Sequence, residues 1–139
     1  MLLDEAGVDL QSAGLGTRAT DLFEGFLPDE PDACVALFDG AGLPPVFALG
    51  ASAEVARPRV TVWARAATAA AARSKIHAVY DRWRSRGAVD MTKAAGGTTR
   101  WLSTFAAHEP FLLKRDERGP EPRVIYACSF DVMKEVSTS

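Results

Sequence analysis

The apolar pattern changes period once in the middle of the chain, and the rest is arranged around that change. In Arg59-Val60-Thr61-Val62-Trp63-Ala64-Arg65, Val60, Val62 and Ala64 share one face, while Arg59, Thr61, Trp63 and Arg65 share the other. This is the period-2 alternation of a strand. Pro58 cannot donate to a ladder and marks where the strand begins. From Ala66 onward Ala69, Ala72, Ile76, Val79, Tyr80 and Trp83 recur at threes and fours, with Arg73, Lys75, His77, Asp81, Arg82, Arg84 and Arg86 between them. That spacing predicts an amphipathic helix stopped at Gly87, with Arg82, Arg84 and Arg86 on a solvated face of its last turn. Its apolar stripe needs a sheet beneath it, so the fold class is α/β or α+β with a two-layer core.

On the N-terminal side, Leu2, Leu3, Ala6 and Leu10 mark a short helix ending near Gly14 or Gly16, and Leu22, Phe23, Phe26 and Leu27 suggest a short strand. Pro28-Asp29-Glu30-Pro31-Asp32 reads as a solvated turn. Cys34-Val35-Ala36-Leu37-Phe38 is apolar on both faces, as a central strand would be. Residues 39–57, rich in Gly and Pro, read as a long connection that nevertheless carries Leu43, Val46, Phe47 and Leu49. Two readings of these four stand side by side: they fold over the domain's own core, or the loop docks on another protein.

Downstream of the central helix, residues 88–97 read as a loop or hairpin entry, and residues 98–105 resume alternation with Trp101, Ser103 and Phe105 on one face. Lys114-Arg115-Asp116-Glu117-Arg118-Gly119-Pro120 is a charged turn, suited to a hairpin tip or to ion pairing across a subunit interface. The last strand, from Arg123, puts Val124, Tyr126, Cys128, Phe130 and Val132 on one face.

At 139 residues, 47% of them apolar, the chain fits one domain with an ample core, and no apolar run approaches the roughly 20 residues of a membrane span. The N-terminus lacks the basic and apolar regions of a secretory signal, which predicts a cytosolic protein with Cys34 and Cys128 as buried free thiols. With 16 basic and 18 acidic residues the domain as a whole has no basic footprint for nucleic acid.

Candidate chemistry is sparse. His77 and His108 fall in different elements without metal-ligand spacing, and Ser103 and Ser129 lack a nucleophile elbow. Gly14-Leu15-Gly16 has neither the preceding strand nor the third glycine of a phosphate loop. Asp29-Glu30 and Asp116-Glu117 lie in turns. The expectation is a protein without catalytic, metal or cofactor sites.

The order of the pieces, with Pro28 to Phe38, the Arg57-Pro58 strand entry and Pro110-Phe111-Leu112-Leu113-Lys114-Arg115-Asp116-Glu117-Arg118-Gly119 as its most specific stretches, resembles the minor capsid or tail terminator family of long-tailed bacteriophages and prophages. The resemblance implies a small domain with a mixed, mostly antiparallel sheet flanked by an N-terminal helix and one long central helix. It implies a hexameric ring at the head-proximal end of the tail tube that stops tube growth and presents a surface to the neck. The partners are then other copies of the chain, the tail tube protein and a neck protein, with DNA passing through the lumen, no membrane and no cofactor. A head-completion protein of the neck is the second reading, and a small cytosolic enzyme or ligand-binding domain the third. The expected interface residues are Leu43, Val46, Phe47, Leu49, Arg57, Phe111, Lys114, Arg115, Asp116 and Arg118. Phe47 and Leu49 would fill a hollow on a neighbour, and Arg115, Asp116 and Arg118 would set register by ion pairs.

Overall fold

The computed structural model describes residues 2–47, 53–118 and 121–137. In chain order the elements are α1 (Leu2–Ser12), β1 (Leu22–Glu24), β2 (Cys34–Phe47), β3 (Ala53–Ala66), α2 (Ala69–Trp83), β4 (Ser85–Arg86), β5 (Val89–Thr92), β6 (Thr98–Ala106), β7 (Phe111–Asp116) and β8 (Arg123–Ser137). They build one mixed sheet in the order β1-β2-β3-β8-β6-β4, with β5 also on β6 and β7 also on β8. Only β1 and β2 run parallel; the other pairs are antiparallel. The fold class is the expected α+β one.

The spine is the β3–β8 ladder, paired from Ala53 opposite Ser137 to Ala66 opposite Val124. On one face of it Val60, Val62 and Ala64 join Val35 and Leu37 of β2 and Cys128, Phe130 and Val132 of β8. Both helices cover this face: α1 through Leu3, Ala6 and Leu10, and α2 through Ile76, Val79 and Trp83. Trp83 packs edge-on against Phe130, ring centroids 5.5 Å apart. Among the described residues, the opposite face of the sheet carries no helix.

Several boundaries differ from those the pattern predicts, each for a reason outside the local sequence. Residues 39–47 and 53–57 are not a loop but the outer halves of β2 and β3, paired through two register shifts that absorb the extra residues. Gly25, at φ 92°, turns the chain out of the sheet straight after Glu24, so Phe26 and Leu27 fall outside β1. α2 begins at Ala69, where the Thr68 side chain accepts from Ala71 N–H at 3.2 Å, because β3 runs on to Ala66. It ends at Trp83 because Ser85 and Arg86 pair with Phe105 and Thr104 as β4. In β6 a register shift between Trp101 and Ser103 sends Trp101 into the core, away from the face of Ser103 and Phe105.

Of the three arginines at the end of α2, Arg84 is exposed as expected, but Arg82 and Arg86 turn to a largely buried partner. Asp9 of α1 accepts from Arg82 Nε (2.7 Å), Arg82 Nη2 (2.7 Å), Trp83 Nε1 (2.8 Å) and Arg86 Nη1 (3.0 Å). One turn earlier Glu5 accepts from Trp101 Nε1 at 3.1 Å and pairs with Lys134. Burial alone would raise both carboxyls, but these donors outweigh it and hold both below their ordinary range. Helix α1 is therefore fastened by two carboxylates as well as by its apolar stripe, Glu5 to the sheet and Asp9 to the end of α2 and to β4. Cys34 and Cys128 are free and buried, and burial pushes the Cys128 thiol up to about 11.

Replacing Asp9 with alanine removes the acceptor shared by two guanidiniums and an indole. We expect a loss of about 3 kcal/mol in urea denaturation, with the Trp83 environment changing in the folded-state fluorescence. A loss under about 1 kcal/mol would mean that the apolar stripe alone holds α1.

Candidate interaction surface

The helix-free face is laid out by strand alternation. Phe38 of β2, Arg59, Thr61 and Trp63 of β3, Ser129 and Asp131 of β8, Phe105 of β6 and Phe111 of β7 fall on it through their pairing. Its middle is polar and closed by cross-strand bonds. Arg59 donates to both oxygens of Asp131 (2.8 and 3.3 Å), and the Thr61 and Ser129 hydroxyls lie 3.1 Å apart. Toward one end Phe38 and Trp63 pack with ring centroids 4.9 Å apart, and Lys114 Nζ sits 5.1 Å from the Trp63 ring centre.

Beyond Trp63 the face ends in a buried ionic cluster. Arg65 is 0% exposed, Arg123 4% and Asp116 5%. Asp116 accepts from Arg65 Nη1 (2.9 Å), Arg118 Nη2 (2.9 Å), Arg118 Nε (3.0 Å), Arg118 N–H (3.1 Å) and Arg123 Nη2 (3.3 Å). Other guanidinium donors reach main-chain carbonyls of the segment before β2, Arg123 Nη2 also reaches Arg118 O at 3.1 Å, and the buried Arg123 Nε has no hydrogen-bond partner among the described residues. Arg65 donates to Asp32 O (3.2 Å) and Pro31 O (2.7 Å), and Arg123 to Asp29 O. The expected solvated turn at residues 28–32 is thus half structural: its aspartates are exposed, its carbonyls are consumed. The Arg118 side chain, against the opposing pull of burial and with its own N–H and Arg65 assisting, holds the Asp116 carboxyl far below the usual carboxylate range.

The expected interface residues separate on this framework. Asp116 and Arg118 find ion-pair partners within the chain. Lys114 lies on the helix-free face, whereas Arg115, opposite Val124, lies on the other, so the charged run is not one patch. Phe111 is 44% and Leu112 56% exposed on the outer strand β7, and the His108 ring packs against Phe111 at 5.2 Å. Val46 and Phe47 belong to β2, opposite Val55 and Glu54, and Leu49 lies outside the described residues.

Leu43 and Arg57 do come together, and they frame a feature that the sequence pattern does not reveal. The outer β2–β3 ribbon bends at its two register shifts, where Leu43 sits opposite Arg57. Arg57 Nε donates to Pro44 O at 2.8 Å across the bend. Gly42 makes this approach possible, since a Cβ there would stand 2.6 Å from Arg57 O and 2.8 Å from Pro58 Cα. The result is a mostly apolar cleft of about 310 Å³ lined by Leu43, Val55, Arg57, Phe105, Asp131 and Met133. Leu43 is 64% and Phe105 46% exposed there. Phe105 was signalled only as an alternating strand residue and Met133 not at all, and the pairing that joins them to Leu43 is tertiary.

The remaining candidates for chemistry do not converge. At the Gly14–Gly16 turn Thr17 N–H donates to Asp21 Oδ1 (2.6 Å) and Arg18 N–H to Gln11 Oε1 (2.9 Å), so those amides are spent within the chain. His108 bonds the adjacent Glu109 carbonyl at 2.8 Å, and the exposed His77 faces Tyr80. Among the described residues no group of three or more His, Cys, Asp or Glu is placed to hold a metal ion, and no helix is long and apolar enough to cross a membrane.

Two outcomes follow from this geometry. Because Asp116 titrates lower folded than unfolded, its contribution is complete above the unfolded value near 3.9 and is lost as pH falls through that value toward the folded one. Asp116→Asn should therefore be about 3 kcal/mol less stable at neutral pH and should lose less further stability than wild type between pH 5 and pH 2. Urea titrations followed by circular dichroism decide it, and parallel acid limbs would assign the acid sensitivity to other carboxylates. Gly42→Ala should cost about 1–3 kcal/mol by forcing the ribbon open, read as a fall in melting temperature that Gly87→Ala, at a site with open space around it, does not reproduce.

The sequence matches, over residues 9–132, the family described as bacteriophage tail terminator protein. No curated protein matches the sequence. The match leaves out only residues 1–8 and 133–139, and this protein belongs to the bacteriophage tail terminator family.

Proposed function

We propose that copies of this chain form a closed six-fold ring on the head-proximal end of a completed phage tail tube, where the ring halts tube polymerisation and joins the tail to the neck. The observation that carries this reading is the family match over residues 9–132. A structural role in the phage tail follows from the family; the ring, its stoichiometry and its position are the proposal. Such a ring acts through surfaces rather than reactions: one toward each ring neighbour, one toward the tube protein and one toward a neck protein, with DNA passing through the lumen and assembly in the host cytoplasm.

Physical chemistry supports a division of labour among the expected residues. A cyclic ring joins one patch of each subunit to a different patch of the next. Leu43 and Arg57 at the cleft, and Phe111, Lys114 and Arg115 on β7, are the surface-disposed members of the set. Asp116 and Arg118 shape the β7–β8 turn that carries them. Phe47 and Leu49 are proposed to contact the tube or a neighbour.

Electron microscopy of particles produced with this gene deleted tests the role. Overlong tubes beside separate filled heads are the expected outcome. Normal-length tails beside heads that leak DNA would move the protein to the head side of the junction, and unchanged virions would overturn a role in the tail junction altogether.

A further inference from the structure

Guanidinium charge is matched almost everywhere on this molecule, and one strip is the exception. Among the described residues, every arginine side chain pairs with a carboxylate or bonds a main-chain carbonyl except Arg73, Arg84 and Arg115. All three are exposed, and all three lie on the helix-covered side. Arg73 and Arg84 are eleven residues apart on α2, which returns them to the same flank about 16 Å along its axis. That flank faces β6 and β7. The Arg73 guanidinium lies 6.0 Å from the ring centre of Tyr126, the ladder partner of Leu112, and the Arg84 carbonyl accepts from Ala106 N–H. The Arg84 guanidinium lies 6.0 Å from the ring centre of Tyr80, which His77 meets edge-on at 5.9 Å. On β7, Arg115 stands opposite Val124, about 7 Å along β8 from Tyr126. The strip therefore combines three guanidiniums, two half-buried tyrosine rings and the exposed Leu112. Asp81, Glu109 and Glu117, the exposed acids adjacent in sequence, pair with none of the three arginines, and helical spacing turns Asp81 to the outward side of α2. The other flank of α2 has no such surplus, since Asp9 takes Arg82 there.

We propose that this strip receives an acidic segment of a different protein of the tail junction, its carboxylates meeting Arg73, Arg84 and Arg115 while an apolar side chain rests on Leu112 and Tyr126. The proposal takes its setting from the ring reading above and states the chemistry of one of the ring's partners. A guanidinium over a tyrosine face is already held in place with its in-plane N–H donors free, which suits bidentate recognition of a carboxylate. Charge and apolar ground together select the occupant. A nucleic-acid backbone would use the charges but not Leu112, and its binding draws on a broad basic face that a chain of net charge -2 does not present. A second copy would have to offer an acidic segment of its own. The densest one in this chain, residues 29–32, already spends Asp29 on Arg118 and Asp32 on Arg123.

The test uses the whole protein in assembled particles. The photoreactive residue p-benzoylphenylalanine is placed at position 112 during complementation of a phage lacking the gene, and the purified virions are irradiated. The expected product is a crosslink to another virion protein, and mass spectrometry should place it in a segment with several Asp or Glu beside the attachment point. Attachment to DNA, to another copy of this chain or to a segment without acidic residues overturns the proposal and leaves the ring standing. So does the absence of any crosslink from virions that contain the protein. Absence of the protein from purified virions and tails overturns the ring reading and this contact together. A second measurement is independent of the label. Arg73→Gln/Arg84→Gln/Arg115→Gln changes three exposed side chains, so circular dichroism and melting temperature should match wild type, while the yield of infectious particles in complementation falls about tenfold or more. Arg100→Gln, at an exposed cation outside the strip, should leave the yield unchanged. Equal yields from the triple variant and wild type overturn the proposal.

Discussion

A guanidinium removed wholly from water is the constraint on which one end of this molecule depends. Arg65 points to the helix-free side, where no second layer covers it, yet it has no exposed surface. An isolated charge so placed would cost several kcal/mol, and it persists only where charge and donors are both matched. Asp116 supplies the countercharge, and carbonyls of Pro31 and Asp32 accept the donors that Asp116 cannot. Arg123 enters the same cluster from β8 and is matched by Asp116, Asp32 and the Asp29 carbonyl. One cluster therefore closes the segment before β2 over the sheet end and fixes the β7–β8 turn. Two of the three stretches that carry the family resemblance meet at this point.

The helix-covered face solves its own version of the problem. Glu5 and Asp9, one helical turn apart, each take an indole N–H and at least one cation: Trp101 with Lys134, and Trp83 with Arg82 and Arg86. A short helix has few apolar residues with which to hold its place. Two charge-assisted anchors add direction, because a slide along the sheet would break both sets of hydrogen bonds at once. Both tryptophans can be buried only because their N–H groups have acceptors there.

What was legible in the sequence was local, and what was not depended on pairing. The change of period between Trp63 and Ile76 identifies β3 and α2 because alternation and helical spacing are properties of neighbours. The ends of α2 were misjudged because β3 continues to Ala66 at one end and Ser85–Arg86 is drawn into β4 at the other. Residues 39–47 read as a loop because Gly42, Pro44 and Pro45 are loop formers by composition, while their strand state comes from a bulged ladder with β3. The same limit applies to the surface. Leu43 and Arg57 were singled out separately, as an apolar loop residue and as a strand entry; only the register that sets them opposite each other makes a cleft. Phe105 looked like the partner of Trp101 until a bulge put them on opposite faces. Asp116 was expected at an interface because exposed charge at a hairpin tip is the common case, and nothing in its neighbours announces two arginines from β3 and β8.

The sheet's edges bear on how such a subunit can associate. Beyond Leu37 the outer edge of β2 has no partner among the described residues, and β7 has none on its outer side. Free edges invite strand addition, the least selective form of association. Here each is guarded. β2 has Pro44 and Pro45, which lack N–H donors, within a stretch broken by two register shifts; β7 has a register shift between Leu112 and Lys114 and the charges of Lys114 and Arg115. A subunit of the proposed ring, meeting its own copies in one geometry without growing into open-ended sheets, needs its edges blunted and its recognition moved to side chains. The same ribbon bend that spoils the β2 edge creates the cleft, and the bulge that spoils the β7 edge brings Lys114 onto the helix-free face with Phe111. Blunting the strand edge and shaping the neighbouring side-chain surface are thus a single structural feature on each side.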